Sequence, residues 1–305
     1  MSAALELFLQ QLFNGLTIGM VYALIALGYT MVYGVIQLIN FAHGEVFMVG
    51  AFLGLSVLLA FGSLWAAAPL VVVLAAVFVV SVAGSAALGA AIERVAYKPL
   101  RGSPKLTALI TSIGVSFFLQ NAVMLIFGSK EQSVPDVLPP VFFQLGPVSL
   151  SLVQLVIFAV SLAFMVSLTW FVKNTRPGKA MRALAEDPDA ARLMGISVDA
   201  MIRMTFVLGS ALAAVAGSLF SLYYGSVNFH DGYLAGLKAF TAAVFGGIGS
   251  IPGAMLGGVL LGVFEALGAG YISSEWKDVF AFVLLGGVLI FKPSGLLGEN
   301  LPEKV

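Results

Sequence analysis

The chain contains no cysteine, which excludes disulfides and thiol chemistry and leaves no redox compartment to be read. Charge is also scarce. Only 10% of the 305 residues are Asp, Glu, Lys or Arg, against about 25% in a soluble globular domain. Fifteen basic and fifteen acidic residues cannot cover a globule of this size in water, which excludes an ordinary cytosolic enzyme. Their sum is zero and no basic stripe follows any one element, so a nucleic-acid binder is excluded as well. There are two histidines, and His43 has no second ligand at metal spacing. Catalytic signatures are missing too: no His-Glu-x-x-His, no paired intramembrane aspartates and no Ser–His pair at a defined spacing. No phosphate-binding Gly-x-x-x-x-Gly-Lys-Ser/Thr loop occurs, and Arg176-Pro177-Gly178-Lys179-Ala180 is only superficially like one. Finally, no basic residue precedes Arg94. The opening therefore lacks the basic segment of a secretory signal, and the apolar run from Leu12 to Tyr33 is expected to span.

What remains is apolar. Hydrophobic residues make up 60% of the chain and the mean hydropathy is +1.04, the profile of a polytopic membrane protein. Thirty-four glycines suit that class, because small residues let membrane helices approach closely. Crossing the hydrocarbon takes about 20 apolar residues. Such segments fall at roughly 12–34, 42–62, 66–92, 106–128, 150–172, 204–224, 232–249, 252–270 and 278–293. The seventh and ninth are short and interrupted by glycine, so the expectation is an all-α protein of eight or nine spans.

Lys and Arg in short loops set orientation. Segment 93–105 carries Arg94, Lys98, Arg101 and Lys105; segment 173–203 carries Lys173, Arg176, Lys179, Arg182, Arg192 and Arg203. Both are expected on the cytoplasmic side, with an even number of spans between them. Loop 129–149 then lies outside. Nine spans place the amino terminus outside and the carboxyl terminus, near Lys292 and Lys304, inside.

A faint repeat runs through the chain. Gly34…Asn40-Phe41-Ala42-His43-Gly44 is echoed by Gly225…Asn228-Phe229-His230-Asp231-Gly232, each after a long apolar helix and before further spans. The halves, about 12–128 and 204–293, start from opposite sides, as an inverted repeat would. Folds of that design place the permeation path at the repeat interface beside interrupted helices.

Segment 173–203 is the most informative loop. Asn174 to Gly178 reads as a turn leaving the membrane, and Lys179 to Glu186 as a short helix. Asp187-Pro188 restarts a second one, with Asp as cap and Pro at the first helical position. Gly195 ends it in the left-handed conformation. Ala191 and Met194 are expected on one side of this surface helix, where a partner's groove would take them.

Residues 182–196, Arg-Ala-Leu-Ala-Glu-Asp-Pro-Asp-Ala-Ala-Arg-Leu-Met-Gly-Ile, resemble the coupling loop of branched-chain amino acid ABC transporter permeases of the LivH type. The segments 15–28, 39–45 and 240–258 resemble the same family, so the likeness runs nearly end to end. It implies an inner-membrane permease that pairs with a sister permease, two ATP-binding subunits and a periplasmic substrate-binding protein. ATP and Mg would be held by the ATPase subunits, with no cofactor in this chain. The docking residues would be Arg182, Ala183, Glu186, Asp187, Pro188, Ala191, Met194 and Gly195.

Charges at membrane depth cost at least about 2.5 kcal/mol and call for a partner or a path. Glu45, beside Asn40 and His43 at the start of the second span, reads either as a helix-capping anchor or as the lining of a path; Asn228 is its echo, with a turn as the alternative. Glu265 reads as structural, either paired with Lys238 or facing a helix end near the outer surface. Gln120 and Asn121 are placed to join helices through amide hydrogen bonds. The breakers Gly246, Gly247, Gly249, Pro252 and Gly253 require a sharp bend between the seventh and eighth spans. The leading reading is the channel half of an ATP-driven importer of Leu, Ile and Val. The alternatives are an ion- or proton-coupled carrier using Glu45 and Glu265, or a related permease for urea or short-chain amides.

Overall fold

The computed structural model describes residues 3–62 and 68–298; Lys304 and the start of the third expected span lie outside them. The helices are α1 (Ala3–Ile36), α2 (His43–Phe61), α3 (Leu70–Ile92), α4 (Lys105–Phe127) and α5 (Leu152–Asn174). There follow α6 (Arg176–Glu186), α7 (Pro188–Leu193), α8 (Val198–Tyr224), α9 (Asp231–Gly246), α10 (Ile251–Tyr271) and α11 (Lys277–Phe291). Seven of them are long and apolar enough to cross a membrane. α9 and α11, with 16 and 15 residues, reach only about 24 and 22 Å at 1.5 Å per residue, short of the hydrocarbon thickness.

α1 is apolar on every face because it runs through the middle. Val21 to Leu27 are buried, and the helix packs against α8, α9 and, along most of its length, α10. Glycine makes the α1–α10 contact possible: a Cβ on Gly19 would lie 2.7 Å from the Val259 carbonyl oxygen, and one on Gly258 2.4 Å from Ala23 Cα. Deprived of a hydrophobic drive in lipid, helices associate through such close packing. α3, α4, α5 and α11 instead present Val71, Phe118, Leu125, Trp170 and Phe291 outward, as lipid-facing surfaces do.

Charge marks the two ends of the bundle. Lys98 Nζ meets Asp199 Oδ2 at 2.8 Å, and Arg101 pairs with both Glu93 and Asp199, so the two basic segments share one end. At the far end, β1 (Gln132–Ser133) pairs antiparallel with β4 (Ser226–Val227), and β2 (Phe142–Leu145) forms a hairpin with β3 (Val148–Ser151). These short strands leave the fold all-α and order the loop at 129–149, partly through its own hairpin and partly through residues 226–227. Gln10 exchanges hydrogen bonds with the Ser149 backbone, which anchors the start of α1 at this far end. α1 and α10 are antiparallel, so the Gly246–Gly253 bend belongs to the basic end.

That bend satisfies its own backbone. Gly247 and Gly249 take positive φ of 107° and 96°, Ser250 caps α10 through the Gly253 N–H, and the carbonyls of Phe245 and Gly246 accept from the N–H groups of Leu296 and Leu297. Pro252 lies in the first turn of α10, where its missing N–H is harmless.

Candidate functional site

Two helices begin inside the body of the protein. Along residues 37–42, after α1, the chain returns to the depth of Tyr29 before α2 starts. Gln37, at φ 54°, is the sole non-glycine residue with positive φ among those described. After α8, Gly225 has φ 69° and the chain enters α9 in the same manner. Besides the positive φ, the two breaks share three hydrogen bonds. Gln37 N–H donates to Tyr33 O and Gly225 N–H to Ser221 O. Asn40 Oδ1 accepts from Ala42 N–H and Asn228 Oδ1 from His230 N–H. His43 N–H donates to Asn40 O and Asp231 N–H to Asn228 O. Gln37 is thus the counterpart of Gly225, three residues on from the Gly34 that the sequence pairs with it.

The breaks meet face to face. A Cβ on Gly44 would lie 2.3 Å from the Gly232 carbonyl oxygen and 2.8 Å from Gly236 Cα, so the first turns of α2 and α9 are in backbone contact. Glu45 is 1% exposed. Its Oε1 accepts a 3.0 Å hydrogen bond from Ser116 Oγ of α4, and its Oε2 has no hydrogen-bond partner among the described residues. His43 is buried edge-on to Tyr29, its Nε2 equally without a partner. Asn40 and Asn228 are engaged differently. Asn40 Oδ1 also accepts from Tyr97 OH at 3.1 Å, while Asn228 is occupied by its own turn, its N–H donating to Asp231 Oδ2 at 2.7 Å.

Beside this junction, between α1, α4 and α9, lies a cavity of about 290 Å³ walled by Tyr29, Phe41, Ile113, Ser116, Tyr233 and Leu237. It is apolar except for Ser116, which carries the hydrogen bond to Glu45, and the two tyrosine hydroxyls.

At the basic end, α6 and α7 form a helical elbow. Thr175 caps α6 through the Gly178 N–H, so Arg176 and Pro177 belong to the helix and only Thr175 interrupts the chain; the five-residue turn expected there does not form. Met181 and Leu184 face inward, leaving Arg182, Ala183 and Glu186 exposed. Asp187 caps α7 by accepting from Asp189 and Ala190 N–H, and Gly195 closes it at φ 79°.

Ala191 and Met194 do not share a face. Ala191 is 3% exposed and turned into the body, whereas Leu193 and Met194 are 89% and 82% exposed. Ala191 lies on the side of α7 packed against α8, whereas Leu193 and the cap residue Met194, whose N–H still bonds the Ala190 carbonyl, lie at its exposed end. The outward apolar pair is Leu193–Met194.

From α8, beside this elbow, a chain of polar contacts leads inward. Asp199 at the start of α8 holds Lys98 and Arg101; Arg101 and Arg203 bracket the buried Glu93. Glu93–Tyr97 is a π-helical turn, a wider coil that re-aims the side chains at its end. Tyr97 OH lies 3.1 Å from Asn40 Oδ1 and 3.3 Å from Ile39 O, which satisfies the non-helical backbone before α2.

The remaining polar expectations divide. Lys238 Nζ meets Glu265 Oε1 at 2.8 Å and Asp278 Oδ1 at 2.6 Å, with Tyr22 OH at 3.4 Å, a buried cluster joining α1, α9, α10 and α11. Gln120 bridges to His230 at 2.9 Å, but Asn121 bonds the Phe117 carbonyl of its own helix and joins nothing. Tyr97 and Ser116 were absent from the sequence-based site. Ser112, Ser116 and Gln120 recur every four residues along an apolar helix, a polar stripe that marks the inward face of α4.

The family model for the branched-chain amino acid transport system, permease component, matches residues 11–289. The chain is 52% identical over 98% of its length to the high-affinity branched-chain amino acid transport system permease protein BraD of Pseudomonas aeruginosa, 98% of which is covered. It is 48% identical, over the whole of both chains, to the permease LivH of Escherichia coli. A probable branched-chain amino acid transport permease of Methanocaldococcus jannaschii is 28% identical over 91% of this chain and 88% of its own. No solved structure matches at the same stringency. On the full-length match and the helical, span-rich fold, the chain belongs to the family of branched-chain amino acid transport permeases.

Proposed function

We propose that this chain is the transmembrane permease subunit of an ATP-driven importer of leucine, isoleucine and valine. The observation that carries the reading is the end-to-end match with LivH and BraD, whose names specify high-affinity branched-chain amino acid transport. The partners are a sister permease, two ATP-binding subunits holding ATP and Mg, and a periplasmic substrate-binding protein. The basic end is cytoplasmic by the distribution of Lys and Arg, which puts the amino terminus outside and the carboxyl terminus inside the plasma membrane.

The two breaks make α1–α4 and α8–α11 an inverted repeat of two four-helix units, with α5 as the ninth membrane helix between them. The matching backbone bonds at residues 37–43 and 225–231 support this. So do the helix contacts: α1 with α10 is mirrored by α8 with α3, and α2 with α8 by α9 with α1. Asn40, His43, Glu45 and Asn228 then lie at the repeat interface, where such folds carry their path. Ser116 joins them through Glu45.

The exposed Leu193–Met194 pair docks the ATPase subunit, with Arg182, Ala183, Glu186, Asp187, Pro188 and Gly195 shaping the elbow. Movement of the elbow reaches α2 through Asp199, Arg101, Glu93, Tyr97 and Asn40. The bend at Gly246, Gly247, Gly249, Pro252 and Gly253 is a structural hinge at the same end. A proton-coupled carrier is disfavoured by Glu265, which is held by Lys238.

Leucine uptake with ATP hydrolysis in vesicles holding the full complex tests the reading. Leu193→Glu with Met194→Glu is expected to abolish uptake and co-purification of the ATPase while membrane insertion persists. Uptake by the lone chain, indifferent to ATP, would establish the secondary carrier instead; uptake of urea or amides in place of leucine would change the substrate class.

A further inference from the structure

We infer that the cavity between α1, α4 and α9 is a binding site for an aliphatic amino acid within the permease itself, with Ser116 and Glu45 receiving its ammonium group. The inference rests on the importer reading and adds a specificity site to it. Three observations converge. The cavity, about 290 Å³, is large enough for a small amino acid, and Phe41, Ile113 and Leu237 give it aliphatic and aromatic walls suited to a branched side chain. Its polar wall is Ser116, whose hydroxyl donates to Glu45. And Glu45, 1% exposed, keeps a second carboxylate oxygen without a hydrogen-bond partner among the described residues.

A buried carboxylate that is half satisfied is stabilised by a proton or by a cation that reaches it. No group of three His, Asp or Glu residues that could hold a metal occurs among the described residues, whereas an ammonium needs only a few convergent acceptors. Entering the cavity, it meets Ser116 Oγ first, with Glu45 Oε1 3.0 Å behind that hydroxyl, while the partnerless Oε2 lies against Gly232. The Tyr29 hydroxyl, set against Gly236 in the same lining, is a donor for the substrate carboxylate. The larger cavity of about 450 Å³ between α1, α10 and α11 offers no such chemistry, since its lining from Phe8 to Leu284 has no charged side chain. Apolar pockets with a few placed polar groups are the usual form of a small-molecule site.

The absence of cysteine permits a clean test. In the assembled complex, an Ile113→Cys variant is the only thiol in this chain, and its rate of alkylation by a small maleimide reports access to the cavity. Excess leucine is expected to slow labelling several-fold. 4-Methylpentanoate, the same side chain without the ammonium, is expected to leave the rate unchanged, and adding Glu45→Gln to the variant should remove protection by leucine. Equal protection by both compounds would overturn the ammonium assignment and mark the cavity as an acyl-chain groove. Unprotected labelling in a complex that imports leucine would overturn the site but leave the importer reading intact. Protection without ATP-dependent uptake would retain the site and refute the importer reading. Loss of both would refute both. Retention of leucine protection with Glu45→Gln, the complex co-purifying as wild type, would remove Glu45 from the site.

Discussion

The two interrupted helix pairs, α1–α2 and α8–α9, follow one backbone path and differ in what each does with a buried charge. α2 carries Glu45 against Ser116, with one oxygen unpartnered. α9 carries Lys238 between Glu265 and Asp278, with a tyrosine hydroxyl nearby. A charge surrounded by partners holds helices together; a charge left half satisfied is available to something that arrives. Their supports differ as well. The first break is tied by Tyr97 to the basic end through buried contacts, whereas the second is tied across an exposed face by Gln120–His230 and the β1–β4 pair. The same loop geometry is thus linked to the basic end in one half and fixed at an outer corner in the other.

The comparison is broken most directly at the charges. Lys238→Met leaves the buried Glu265 carboxylate, and the partly exposed Asp278 beside it, uncompensated and is expected to cost about 3–5 kcal/mol, seen as loss of the intact subunit in detergent melting curves. Glu45→Gln, by contrast, should melt at or above the wild-type temperature, because a neutral amide replaces a half-paired charge; a large drop would make Glu45 structural. Next in size is the contact between the breaks. Gly44→Ala places a methyl 2.3 Å from the Gly232 carbonyl oxygen and is expected to destabilise by about 1–3 kcal/mol, in the same melting assay. A neutral outcome would mean that the two first turns are not in contact.

Smaller effects separate the supports. Tyr97→Phe unties Asn40 and should cost about 1–3 kcal/mol while lowering leucine moved per ATP hydrolysed. His230→Ala, at the exposed corner, is expected to cost less than about 1 kcal/mol and to leave that ratio unchanged. Smallest is Gln37→Gly, which removes the strain of a side chain at φ 54°. Its native conformation is one glycine adopts freely, so stability should change little, and a large loss would contradict the equivalence of Gln37 with Gly225.

Much of this architecture was legible in the sequence, because membrane helices announce themselves by apolar length. A helix occupies each of the nine apolar segments, seven of them long and apolar enough to cross a membrane, the Gly-rich bend falls where its breakers lie, and Glu265 pairs with Lys238, one of the two readings its position allows. What was not legible follows from local and long-range geometry. Helical spacing puts Ala191 and Met194 on one side of α7, but the packing of α7 against α8 buries only the first. The α6 start was misplaced because Pro177 and Gly178 look like a turn, yet both are tolerated in a first helical turn. The hairpin at 142–151 has strands of four residues, below what alternation reveals. Tyr97 and Ser116 depend on contacts across 57 and 71 residues of chain, and only the four-residue stripe on α4 hinted at the second.

The most direct test of the account is to count leucine imported and ATP hydrolysed together in vesicles holding the complete importer, with wild type and Tyr97→Phe side by side. The account predicts that wild type imports leucine only with ATP. With Tyr97→Phe, hydrolysis should continue while leucine moved per ATP falls several-fold. An unchanged ratio would contradict the route from the basic end to α2, and leucine import without ATP would contradict the importer itself.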